Sequence, residues 1–150
     1  MAIDWNKSVI ILSGGFDPVH KGHLRMFREA SQLGHHVIIG LNSDEWLTRK
    51  KGKPFMKFEE RKEILEGFRY VNQVLPFDDS DDTACDIVLI VHSLYMNHDI
   101  KMYFANGGDR TKENIPEIPV CKQLGVEMLW GIGGGKIQSS SWLIDGENNG

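Results

Sequence analysis

At 150 residues, 41% of them apolar, the chain is long enough to bury one core and fits an ordinary soluble single domain. A formal net charge of −4 excludes a basic surface built to coat nucleic acid, and no apolar run or N-terminal basic-then-apolar pattern suggests a membrane span or an export signal, so a cytoplasmic protein without nucleic-acid or membrane partners is expected. Cys85 and Cys121 lie far apart without Cys-x-x-Cys spacing, which fits free thiols better than a disulfide framework or a zinc site.

In chain order, Val9 to Leu12 is a β-branched run closed by Ser-Gly-Gly, the pattern of a buried strand ending in a turn. Leu24, Phe27, Ala30 and Leu33 recur every third position and predict a helix from Gly22 to Leu33, stopped by Gly34. "HVIIGLNSD" is a second buried strand. "SDEWLTRK" opens with an N-cap, Ser43, and an acidic first turn, and the basic "RKKGKP" after it reads as a loop. Phe58 to Phe68 reads as an amphipathic helix, and "NQVLPFDDS" as a strand followed by an acidic loop. "DTACDIVLIVHSLY" is an apolar helix with Asp82 or Thr83 as its cap. "KMYFANGGD" and "VEMLW" are strands with a short helix, Pro116 to Leu124, between them, and residues 145–150 are expected to fray.

Strand and helix in alternation imply right-handed crossovers and an α/β fold, a doubly wound parallel sheet with helices on both faces. Ligands of such sheets bind beyond the carboxyl ends of the strands, where strand order reverses. The turn after the first strand therefore carries the most information: "SGGFDPVHKGH", residues 13–23. It is not the Gly-x-Gly-x-x-Gly fingerprint, and "GGGK" near residue 135 fails the P-loop pattern at Trp130 and Ile137. A helix beginning near Gly22 would point free N–H groups and its dipole at an anion. His20 and His23, three residues apart, would then donate to phosphate oxygens from the same side of its first turn. Gly14, Gly15 and Gly22 would let a nucleotide lie close to the backbone. A metal pair is the competing reading of the two histidines, but it needs a third ligand that the sequence does not offer.

"GGFDPVHKGH" resembles the Gly-x-Phe-Asp-x-x-His-x-Gly-His turn of the cytidylyltransferase-like nucleotidyltransferase superfamily. "RKKGKPFMKFEERKEIL", "VNQVLPFDDSDDT", "FANGGDRTKENIPE" and "KIQSSSWLI" resemble its later segments, so the likeness covers almost the whole chain. It is nearest to the heptose-1-phosphate adenylyltransferase and glycerol-3-phosphate cytidylyltransferase branches, and it implies a Rossmann-like fold. The implied reaction is attack by a phosphorylated sugar or polyol on the α-phosphorus of a nucleoside triphosphate, ATP slightly favoured over CTP, releasing pyrophosphate. Magnesium would come with the nucleotide, no metal would be held by protein groups alone, and a homodimer is left open.

The resemblance assigns catalysis to His20, His23 and Lys51. It gives nucleotide or phosphate contacts to Gly14, Gly15, Phe16, Asp17, Gly22, Arg49, Gly108, Asp109, Ser139, Ser140 and Ser141. Lys53 stands as fallback for Lys51, and Arg110 and Lys136 are further candidates. Arg61 reads equally as a phosphate holder or as a surface partner of Glu59 or Glu60. Trp142 and Leu143 stand where the family has a basic residue after its serines, which keeps a second reading alive: a nucleotide-binding sensor of the same fold.

Overall fold

The computed structural model describes residues 8–33, 36–106, 115–134 and 138–139, with Asn106, Gln138 and Ser139 described in backbone only. The expectations for Gly34, Gly108, Asp109, Arg110, Lys136, Ser140, Ser141 and residues 145–150 lie outside the described residues.

The elements follow one another as β1 (Val9–Gly14), α1 (Lys21–Gln32), β2 (His36–Leu41), α2 (Asp44–Lys51), α3 (Phe58–Glu66), β3 (Gln73–Pro76), α4 (Cys85–Tyr95), β4 (Met102–Asn106), α5 (Glu117–Leu124), β5 (Glu127–Trp130) and β6 (Gln138–Ser139). One sheet runs in the order β3-β2-β1-β4-β5-β6, the first five strands parallel. This is the Rossmann-like α/β arrangement, and its winding reverses between β1 and β4. The sixth strand is antiparallel to β5, so the sheet is not wholly parallel, and Ser139 lies in that strand. Two residues are too few to show any periodicity.

Alternation along the strands divides the core in two. Val9 and Ile11 of β1 face a cluster built with Ile87, Val88 and Val91 of α4 and Cys121 of α5. Ile10 and Leu12 face the other side, against Phe27 and Ala30 of α1 and Leu65 of α3. Burial on both faces explains why β1 and β2 read as continuous apolar runs.

Helix ends explain two departures from the expected pattern. Ser43 caps α2 as expected, its Oγ accepting the Trp46 N–H at 3.1 Å. The helix continues through Arg49, Lys50 and Lys51 to Gly52, whose φ of +95° stops it, so half of the expected basic loop is helical. Three cations in a last turn suit the helix dipole. At α4 neither Asp82 nor Thr83 is the cap residue; Ala84 holds that position. Thr83 Oγ1 takes the Cys85 N–H at 3.2 Å, and Asp82 is drawn away to Arg49.

Candidate active site

The first turn of α1 is held by its own histidines. His20 is the N-cap, and its Nδ1 accepts the Gly22 N–H at 3.1 Å. His23 Nδ1 in turn accepts the His20 N–H at 3.1 Å. The two rings stack with centroids 3.8 Å apart, and the His23 ring meets the edge of Phe16 at 4.7 Å. With Nδ1 of each ring accepting, the neutral imidazoles carry their proton on Nε2. Burial, helped by the neighbouring His20, pushes the His23 imidazole down to about 4. His23 is therefore a neutral donor at physiological pH. Gly22 has a local reason: a Cβ there would lie 3.0 Å from His20 Cε1, crowding the capping ring.

A cleft of about 470 Å³ opens at the carboxyl ends of β1 and β4, where the winding reverses. Gly14, Phe16, His23, Asn42, Trp46 and Lys50 line it. This is the size and position of a small-ligand site in an open α/β sheet. Trp46 forms part of the wall, and the Lys50 Nζ lies 5.4 Å from its ring centroid. Gly15 serves helix packing: a Cβ there would come within 2.9 Å of Leu47 Cδ2.

Three expected contact residues are occupied by the protein itself. The Asp17 side chain is 1% exposed and accepts from Lys51 Nζ at 2.7 Å, Phe55 N at 2.6 Å and Met56 N at 2.7 Å. Burial raises its carboxyl, but the Lys51 ammonium and the two N–H groups outweigh that and hold it below the usual value. Asp17 thus anchors the α2–α3 loop rather than presenting its carboxylate to a ligand. Lys51 also donates to Asp17 O at 2.8 Å, so the cleft-lining lysine is its neighbour Lys50. Arg49 pairs with Asp82 at 3.1 Å and donates to Asp79 O at 2.8 Å. Lys53, the fallback, is exposed in the loop and does not line the cleft.

Arg61 departs from both of its expected roles. It is 1% exposed and donates to Met56 O, Gly15 O and Asn42 O at 2.8–2.9 Å and to Asp44 at 2.7 Å. It clamps the β1 turn, the end of β2 and the α2–α3 loop around the cleft, and touches neither Glu59 nor Glu60 in these bonds. Buried Asp79 does similar work, accepting from Asn42 Nδ2, Ser43 N and Ser43 Oγ. Among the described residues no group of three or more His, Cys, Asp or Glu side chains could hold a metal ion, and no helix is long and apolar enough to cross a membrane.

Residues 11–130, from β1 through β5 and including this cleft, match the cytidylyltransferase-like family. The chain belongs to that family. It is similar to glycerol-3-phosphate cytidylyltransferase of Bacillus subtilis, 35% identical over 79 residues, which is 53% of this chain and 61% of the relative. It is also similar to the bifunctional protein HldE of Syntrophotalea carbinolica, 33% identical over 144 residues, 95% of this chain and 25% of the relative. The chain therefore spans less than two thirds of the length of these curated relatives. Among solved structures, a lipopolysaccharide core biosynthesis protein from Thermoplasma volcanium shares the fold, with a TM-score of 0.59, 14% identity and coverage of 82% of this chain and 94% of that one.

Within this cytidylyltransferase-like domain the structure brings Gly14, Phe16 and His23 together at the cleft, stacks His20 on His23 beside it, and turns Asp17, Arg49, Lys51 and Arg61 to holding its walls. Lys50 and Glu117 are among the cleft residues that the sequence reading did not assign to the site. Lys50 had a signal, since it stands four residues after Trp46 and shares its helix face. Glu117 had none, because an isolated glutamate at a helix start ordinarily faces water.

Proposed function

We propose that this chain is a nucleotidyltransferase that moves a nucleoside monophosphate from a triphosphate, ATP favoured over CTP, to a phosphorylated sugar or polyol. The observation that carries this reading is the stacked pair His20–His23 at the start of α1, beside a cleft at the winding reversal. Both rings have Nδ1 tied to backbone N–H, which leaves Nε2–H as the donor for a ligand. The preference for ATP rests on the resemblance to the heptose-1-phosphate adenylyltransferase branch.

In the reaction an oxygen of the acceptor's phosphate attacks the α-phosphorus. A phosphorus–oxygen bond forms to the acceptor as the bond to pyrophosphate breaks, and no side chain becomes covalently attached. The protein's part is positioning and charge stabilisation. His20 and His23 donate to the triphosphate, and the α1 dipole adds to their effect. Lys50, rather than Lys51, brings the mobile positive charge, because it lines the cleft while Lys51 is held by Asp17. Magnesium fits this site only as an ion carried by the nucleotide, since the described carboxylates do not converge on a cation. Bound there, it would neutralise charge on the leaving pyrophosphate.

The test is pyrophosphate release with each of the four NTPs against a panel of sugar and polyol phosphates, with and without EDTA. The expected result is release with ATP or CTP and one class of acceptor, abolished by EDTA and restored by Mg²⁺. Nucleotide binding with no release from any pair would instead favour the sensor reading. Absence of both would overturn the site assignment.

A further inference from the structure

The last turn of α2 sets three cations in a row, and the fold holds them by different means. Arg49 pairs with Asp82 at 3.1 Å and Lys51 with Asp17 at 2.7 Å. Lys50, which lines the cleft, has no carboxylate partner among the described residues. Its Nζ lies instead 5.4 Å from the centroid of the Trp46 ring, one helical turn earlier. The indole is itself fixed. The Trp46 N–H is taken by Ser43 Oγ at 3.1 Å, and Ser43 in turn donates to buried Asp79. The six-membered ring lies close against the β1 turn, where a Cβ on Gly15 would come within 3.3 Å of Trp46 Cζ3.

A carboxylate beside a lysine cancels its charge and accepts its hydrogen bonds, so a phosphate must displace it before taking its place. An aromatic face attracts the ammonium through the ring quadrupole and adds no counter-charge. N–H groups of the ammonium stay available to an anion in the cleft. The attraction is also weak enough to be exchanged for a charge-assisted bond to phosphate. We propose that Trp46 is a positioning residue for Lys50: its indole face holds the ammonium over the cleft in the free protein and yields it to a phosphate of the bound nucleotide. The proposal deepens the nucleotidyltransferase reading and rests on it. Without the indole, the flexible four-carbon stem of Lys50 must be ordered at each turnover, and that cost falls on the step in which the lysine acts.

The experiment is a double-substitution cycle. Pyrophosphate release, with the NTP and acceptor that the wild type uses, gives kcat and KM for wild type, Trp46→Leu, Trp46→Phe, Lys50→Met and the Trp46→Leu/Lys50→Met pair. Melting temperature and circular dichroism on the same samples establish that each is folded. Trp46→Leu is expected to lower kcat about two- to fivefold, the change an exposed cation–π contact supports, with a smaller change in KM for the NTP. Trp46→Phe keeps an aromatic face and should lose less. In the Lys50→Met background, Trp46→Leu should change kcat by no more than about 1.5-fold, because a residue that acts through another has nothing left to act on. A packing role alone predicts the same loss in both backgrounds, so equal losses overturn the proposal. A Trp46→Phe as slow as Trp46→Leu, or a Trp46→Leu as fast as the wild type, overturns it as well. Should Trp46→Leu not fold, Trp46→Met takes its place on both arms of the cycle, with the same outcomes. A wild type that releases no pyrophosphate with any pair overturns the nucleotidyltransferase reading and this proposal with it, whereas equal losses in an active wild type overturn the proposal alone.

Discussion

The two histidines at the start of α1 serve the helix and the ligand with different nitrogens, and their substitution should separate these roles. His20→Ala and His23→Ala each remove a preorganised donor and are expected to lower kcat about a hundred- to a thousandfold. His20→Ala also loses the cap, a cost of about 1 kcal/mol that leaves the fold standing. Circular dichroism and steady-state pyrophosphate release on the same samples check both statements. Protonation tests the pair in another way. The His23 imidazole sits near 4 in the folded protein against 6.5 as its ordinary value. Between those pH values the unfolded chain binds more protons than the folded one, so stability rises with pH across that window and is fully present above it. Denaturant unfolding at pH 4.5, 5.5 and 7 should show this rise, and His23→Gln should flatten it. A wild-type curve as flat as the variant's would contradict the burial of a neutral His23. This pair was legible in the sequence because a motif of fixed spacing names both residues. The buried charges were not. Nothing around Arg61 or Glu117 in the chain announces that Gly15, Asn42 and Asp44, or Ala84, will come to meet them.

At the scale of elements, α2 turns two adjacent lysines to different tasks. Lys50 lines the cleft over Trp46, and Lys51 reaches back to Asp17. Lys50→Ala is therefore expected to reduce kcat strongly with a smaller change in nucleotide affinity, the mark of a contact that strengthens in the transition state. Lys51→Ala should act first on the loop, through faster proteolysis near Phe55 and a lower melting temperature, with a milder loss of rate. A strong kcat loss at Lys51 alone would restore the assignment drawn from the family pattern. Arg61 joins elements rather than serving one. Arg61→Met should destabilise the fold by about 3 kcal/mol, because Asp44 and three carbonyls lose their donor. Equilibrium denaturation measures that loss, and a change below about 1 kcal/mol would show that the clamp is dispensable. The elements themselves were legible wherever a cap or an apolar run marked them, as with Ser43 for α2 and the β1 and β2 runs. The four-residue spacing that sets Lys50 beside Trp46 was readable in the sequence, whereas the cleft that Trp46 faces was not.

For the whole molecule, the sheet brings β1 and β4 together and leaves the cleft between the helices of its two faces. A ligand that holds both the α1 turn and the α5 start ties those layers to one another. ATP or CTP with Mg²⁺ at a hundred times the dissociation constant should add about 2.7 kcal/mol to the stability of the domain by mass action. A thermal-shift titration with each NTP reads this directly, and no shift with any of them would contradict nucleotide binding. The doubly wound order was legible because strands and helices alternate along the chain, while β6 was not, having only two residues. The margins of the sheet have a consequence of their own. At one end β3 is only four residues long and closes on Pro76, which has no N–H to offer a further strand. A short margin that ends in proline is a poor template for another chain. The long apolar strands prone to runaway pairing, β1 and β2, lie inside the sheet, so growth from one molecule to the next is discouraged where the fold would otherwise invite aggregation.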